Sequence, residues 1–178
     1  MVKYLIDSNC LIEAYRRYYN FDIVPSFWHQ FKRTYDQSVF LLDKVKNEIC
    51  LQTDPIKKDE LQLWLEQNCV IDGKIISSTK NQAVIDQYQI ILQYVYNAPH
   101  YRESSFREWA LSMDKADPWL IAVASIDNYT IVTLETRDSN LSANNPTKKE
   151  PKIPDVCDNF GVECINLFDF MRRENCII

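Results

Sequence analysis

The chain has 178 residues, 46% of them hydrophobic and 12% aromatic, which suits one packed domain over residues 1–178 and excludes a disordered chain. Its two glycines, Gly73 and Gly161, are too few for a phosphate-cradling loop, and its two histidines, His29 and His100, argue against a histidine zinc site or a Ser-His-Asp triad. A formal charge of −5 argues against a generic electrostatic nucleic-acid binder, though not against an enzyme that meets phosphates through bound metal.

The six cysteines form no close pairs and read as reduced core residues. No charged-then-apolar leader and no long apolar run occurs, so the expected location is the cytoplasm, with no membrane association. Carboxylates are what the chain has for chemistry.

In chain order, residues 2–6 form a short strand-like run ending on Asp7, and Ser8 and Asn9 suit the caps of a helix over residues 9–18. Leu11, Ile12, Ala14 and Tyr15 face inward there, with Glu13, Arg16 and Arg17 outward. Pro25 and Ser26 begin a second helix in which Phe27, Trp28, Phe31 and Tyr35 recur at helical spacing. Such a stripe is usually core, with RNA stacking as a minor alternative. The apolar run at residues 38–41 leads into a helix over residues 42–49, with Leu41, Leu42, Val45 and Ile49 inward and Glu48 bordering that face. By itself a helical Glu beside lysines is more often a surface residue than a ligand. Thr53, Asp54 and Pro55 restart a helix whose body is residues 60–67, residues 69–79 are a connection, and residues 81–96 form an amphipathic helix broken at Pro99.

After a further helix over residues 104–113, Pro118 suits the first position of a helix buried through Ile126, which puts Asp117 at its N-cap. Residues 130–134 are an uninterrupted run, β-branched through Thr133, the mark of a strand buried on both faces, and Glu135 follows their carboxyl end. Residues 136–154 are a long polar loop, 155–160 a helix closed by Gly161, 162–165 a last strand and 167–173 a closing helix. Asp7 and Glu135 thus end two strands. If those strands are neighbours, two carboxylates converge on one crevice and need a cation or a shared proton between them. Taken singly, Asp7 or Asp117 could be no more than a helix cap contributing about 1 kcal/mol.

Four segments in this order, strand-Asp7-Ser8-Asn9, residues 45–49 with Glu48, residues 116–124 with Asp117, and residues 132–135 with Glu135, resemble the PIN-domain nucleases, as in the toxins of bacterial VapBC-type toxin-antitoxin pairs. Within that family the chain resembles a bacterial subgroup ending in a loop and a segment like residues 153–157. The resemblance implies a three-layer α/β/α sandwich with a parallel sheet of order 3-2-1-4-5 and an acidic pocket holding Mg2+ or Mn2+. It assigns Asp7, Glu48, Asp117 and Glu135 as metal-binding carboxylates, with Asn9 and Thr133 orienting them. Many members carry Asp where this chain has the longer Glu135, and Asp114 and Asp138 are the spare acids.

The activity implied is metal-dependent endoribonucleolytic hydrolysis by a toxin with a cognate antitoxin. The alternative is a non-catalytic PIN-like module that binds RNA or protein. A third reading, Asp7 as phosphoryl acceptor of a phosphatase or receiver domain, needs an acid two residues on, where Asn9 stands. A homodimer is the implied assembly, with residues 27–35 as a possible interface. Arg16, Arg17, Lys32, Arg33, Lys148 and Lys149 are the candidate basic rim for RNA.

Overall fold

Five apolar runs of two to four residues build the sheet at the centre of the molecule: β1 (Tyr4–Ile6), β2 (Val39–Leu42), β3 (Ile75–Ile76), β4 (Thr130–Val132) and β5 (Cys164–Ile165). The computed structural model describes residues 2–178. All pairings are parallel and the order is β3-β2-β1-β4-β5, the order expected, in a three-layer α/β/α sandwich. β1 and β4 are fully buried, as a strand covered by helices on both faces requires. They lie side by side, Ile6 opposite Val132, so the strand ends carrying Asp7 and Thr133 are neighbours.

The helices follow their apolar stripes. In α2 (Pro25–Ser38), Phe27, Trp28, Phe31 and Tyr35 are each at most 2% exposed. Phe27 stacks on Tyr19 at 4.2 Å, the Trp28 indole N–H donates to the Tyr19 carbonyl at 2.6 Å, and the Tyr35 hydroxyl donates to the Cys69 carbonyl at 2.7 Å. This stripe is core, so it offers neither a stacking platform for RNA nor a dimer interface. The same packing reshapes the first helix. α1 (Ser8–Glu13) widens into a π-helical segment, Ala14–Tyr18, with the Tyr19 N–H reaching back to the Ala14 carbonyl, which sets the Tyr19 ring over Phe27.

Leu41 and Leu42 belong to β2 rather than to α3 (Asp43–Ile49), and β3 lies inside what reads in sequence as a connection. Two isoleucines are too short a run for periodicity to separate from a turn. α4 (Glu60–Asn68) is capped by Asp59 and α5 (Gln82–Asn97) by Asn81, which accepts the Ala83 N–H at 3.0 Å. Tyr88 of α5 stacks at 3.9 Å on Trp119 of α7 (Ala116–Asp127). Between them runs α6 (Glu103–Ala110). Asn128, at φ 57°, ends α7, and Gly161, at φ 65°, ends α8 (Ile153–Phe160), both through the left-handed turn that commonly closes helices. The last helix, α9 (Leu167–Arg173), has the bounds expected. All six cysteines are free, and among the described residues no helix is long and apolar enough to cross a membrane.

Candidate functional site

The sheet order reverses between β1 and β4, and in open parallel sheets the crevice at that point, beyond the carboxyl ends of the strands, is where ligands bind. Asp7 stands there. It is 1% exposed, its Oδ2 accepts the Thr133 hydroxyl at 2.7 Å, and its Oδ1 is buried with no hydrogen-bond partner among the described residues. Thr133 is held in turn by the Glu135 backbone N–H, which donates to its hydroxyl oxygen at 3.1 Å. Burial pushes the Asp7 carboxyl up to about 6, the Thr133 hydroxyl and, more weakly, the nearby Asn9 backbone N–H oppose this, and the negative charges of Glu135 and Glu48 add to it.

Asp117, 7% exposed, is the second buried acid. It does not cap α7: the helix begins at Ala116 with Lys115 at the N-cap, so Asp117 and Pro118 occupy its first turn. Proline is tolerated there because first-turn N–H groups have no helical acceptor in any case. The Ala116 N–H is instead satisfied by Glu48 Oε1 at 3.2 Å, while Glu48 Oε2 accepts the Ser8 hydroxyl at 2.7 Å. One carboxylate at the end of α3 therefore ties the starts of α1 and α7 together beside the pocket. Asp117 is pushed well above the ordinary carboxylate range by burial and then by the charge of Asp7, with Lys115 opposing.

Glu135 is placed differently from the other three acids. Its Oε1 pairs with Lys152 Nζ at 2.6 Å and its Oε2 accepts the Ile153 N–H at 2.7 Å. Both oxygens are thus spent on the return of the long loop and on the N-terminus of α8, where a carboxylate is favourable. The contact also explains why α8 starts two residues before Asp155. Asp114, the spare candidate for the fourth acid, turns away to Lys44 at 2.8 Å and is solvent-exposed. Asp138 is exposed and accepts the Asn140 N–H within the loop, and Asn9 is exposed.

Sequence reasoning missed four polar residues of the pocket: Ser8, Lys115, Glu150 and Lys152. Lys115 Nζ lies 2.6 Å from Glu150 Oε1 and 3.5 Å from Asp117 Oδ2. The length of the loop after Glu135 was the available signal for Glu150 and Lys152, and the position of Lys115 two residues before Asp117 was the signal for the third. Among the described residues, no three His, Cys, Asp or Glu side chains converge closely enough as they stand to hold one ion. The donor chemistry nonetheless fits a hard divalent cation: oxygen ligands only, and a buried Asp7 oxygen without a partner beside a second buried acid.

One family match covers residues 4–178, described as a domain of unknown function, DUF4411. The chain belongs to the DUF4411 family. No curated protein and no solved structure matches it. The family match runs from the first residue of β1 to the last residue of the chain, so every pocket residue falls within it.

Proposed function

We propose that the DUF4411 chain is a divalent-metal-dependent endoribonuclease whose centre is Asp7 and Asp117, with Glu48 at its edge. The observation that carries the reading is the Asp7 carboxylate, buried at the sheet's reversal point with one oxygen unpartnered and a second buried acid beside it. Leaving a buried acceptor unmade costs about 1–3 kcal/mol, and such a cost is characteristically kept where function needs it.

In this reading Asp7 and Asp117 would hold Mg2+ or Mn2+, with Glu48 the next acid within the pocket. The bound ion would supply Lewis-acid polarisation of the phosphate and a water of lowered pKa. Thr133 keeps Asp7 oriented by donating to Oδ2, which leaves Oδ1 without a partner. Glu48, by fixing the N-terminus of α7, sets where Asp117 stands. Glu135 positions the loop rather than the ion.

The toxin role, a cognate antitoxin, a homodimer and a cytoplasmic location follow from the resemblance to PIN-type toxins and are part of the proposal. The dimer surface lies elsewhere than residues 27–35, which are core. The basic rim narrows as well. Arg17 pairs with Glu13 at 2.7 Å and Lys32 with Asp36 at 2.6 Å within their helices, and Arg33 hydrogen-bonds Gln30, leaving Arg16, Lys148 and Lys149 as the stronger candidates to meet RNA. Arg16 lines a cavity of about 190 Å³ shared with Glu48, and Lys149 one of about 310 Å³ shared with Glu150 and Lys152.

One feature favours the non-catalytic alternative: the commitment of Glu135 to Lys152 and α8 leaves fewer acids to bind an ion. The deciding experiment is cleavage of a structured RNA with Mg2+ or Mn2+ and with EDTA. Ion-dependent cleavage that disappears in Asp7→Asn and Asp117→Asn, both still folded, is the expected result. Absence of cleavage together with absence of any Mn2+-induced thermal shift would reject the nuclease, and RNA binding without cleavage would favour the binding module instead.

A further inference from the structure

We propose that Lys115 is a displaceable internal counter-ion of the acidic pocket: a divalent cation displaces its ammonium from Asp117 while Glu150 retains it, and the displaced ammonium then meets a phosphate of the bound RNA. Such an exchange presupposes that the pocket is a divalent-metal site, as proposed above.

Lys115 Nζ sits between an acid inside the pocket, Asp117 at 3.5 Å, and an acid delivered by the end of the long loop, Glu150 at 2.6 Å. The side chain of Asp117 is 10% exposed, while those of Lys115 and Glu150 are about a third exposed, so the lysine leads outward from the buried acids. Lys152 has no such freedom, because its partner Glu135 is also bound to the N-terminus of α8.

Two neighbouring buried acids, Asp7 and Asp117, are costly to keep ionised without positive charge nearby, and Lys115 supplies one unit of it. A divalent ion supplies two units at the same acids, and an ammonium within about 5 Å of it is repelled by an amount worth tenfold or more in affinity even at the dielectric constant of water. Lysine suits the exchange because it is a compact point charge on a flexible stem, able to give up one carboxylate while keeping the other, without the fixed geometry that a guanidinium demands. Glu150, already in contact at 2.6 Å, keeps the ammonium when the cation takes Asp117. Moved outward, the ammonium stands where a polyanion approaches a chain of net charge −5, supplying local attraction that the whole molecule does not.

The experiment measures Mn2+ affinity by titration calorimetry at pH 8 without RNA, for the full chain and for Lys115→Met, Lys115→Arg, Glu150→Gln and the Lys115→Met/Glu150→Gln double variant. Lys115→Met is expected to bind Mn2+ about tenfold more tightly, and Lys115→Arg no more tightly than the parent. Glu150→Gln, which removes the refuge of the displaced ammonium, is expected to weaken binding about threefold in the parent and to have no effect beside Lys115→Met. Equal Mn2+ affinity for the parent and Lys115→Met overturns the exchange, as does a Glu150→Gln loss of the same size in both backgrounds, which would make Glu150 a ligand. If Lys115→Met does not fold, Glu150→Gln decides: unchanged Mn2+ affinity in that variant overturns the exchange. No Mn2+ binding by any variant overturns the metal reading beneath it. For the second step, a single-stranded RNA oligonucleotide titrated in Ca2+ is expected to bind Lys115→Met about tenfold more weakly, and unchanged RNA affinity rejects the phosphate contact.

Discussion

Replacing Asp7 by Asn tests the pocket through stability before any activity is measured. In the metal-free protein the Asp7 carboxyl is pushed from 3.8 up to about 6, chiefly by burial. Its folded-state pKa is therefore above its unfolded value, and the folded protein binds the extra proton between these limits. Stability must then fall as pH rises from about 4 to about 6, by 2.303RT times a difference of roughly two pH units, or about 3 kcal/mol. The substituted amide cannot ionise and can still accept the Thr133 hydroxyl, so the variant keeps that hydrogen bond and escapes the penalty. At pH 8 in EDTA, Asp7→Asn should be more stable than the parent by up to about 3 kcal/mol, which for a chain of this size is roughly 6–12 °C in Tm. Circular dichroism melts of both proteins from pH 4 to pH 8 give the difference directly, and subtraction removes the carboxylates common to both. Because Asp117 shares the titration, the slope belongs to the pair, and the variant should retain a shallower one. A variant that is less stable than the parent at pH 8, or that shows the same slope, would refute the assignment of Asp7 as an acid kept ionised at a cost.

Millimolar Mn2+ should raise the Tm of the parent at pH 8 and have little effect at pH 4.5, where Asp7 holds its proton, and it should not stabilise Asp7→Asn at either pH; a shift independent of pH, seen by differential scanning fluorimetry, would place the ion elsewhere. Glu48→Gln should cost about 1 kcal/mol, because an amide oxygen and nitrogen cannot both accept the Ser8 hydroxyl and the Ala116 N–H, and should also abolish cleavage; an unchanged melt with unchanged activity would return Glu48 to the surface. Glu135→Ala should destabilise by about 2–3 kcal/mol, through the loss of Lys152 and the α8 N-terminus, while leaving Mn2+ affinity nearly intact. Calorimetry showing Mn2+ binding lost in that variant would restore Glu135 as a ligand.

Local chemistry in the sequence was enough for what depends on neighbours along the chain. The unbroken run at residues 130–134, β-branched through Thr133, announces a buried parallel strand, Asn81 announces the start of α5, and Gly161 announces the end of α8, because each is decided within a few residues by propensity, capping or a left-handed turn. The acids at the strand ends were legible for the same reason. Partners across space were not. The ring stripe of α2 has one pattern whether it is core or interface, and only the placement of Tyr19, Trp64 and Phe170 against it makes it core. Ile75 and Ile76 became a strand only because Leu41 and Leu42 lie beside them. The division of labour in the pocket was likewise a tertiary decision. Asp7 directly follows β1, whereas Glu135 stands three residues beyond the end of β4 at Val132, where Lys152 and Ile153 return from the loop to claim it, while nothing among the described residues claims one oxygen of Asp7. A carboxylate's role is set by which charges and donors reach it in a low-dielectric interior, and that depends on how the chain closes on itself rather than on the residues beside it in sequence.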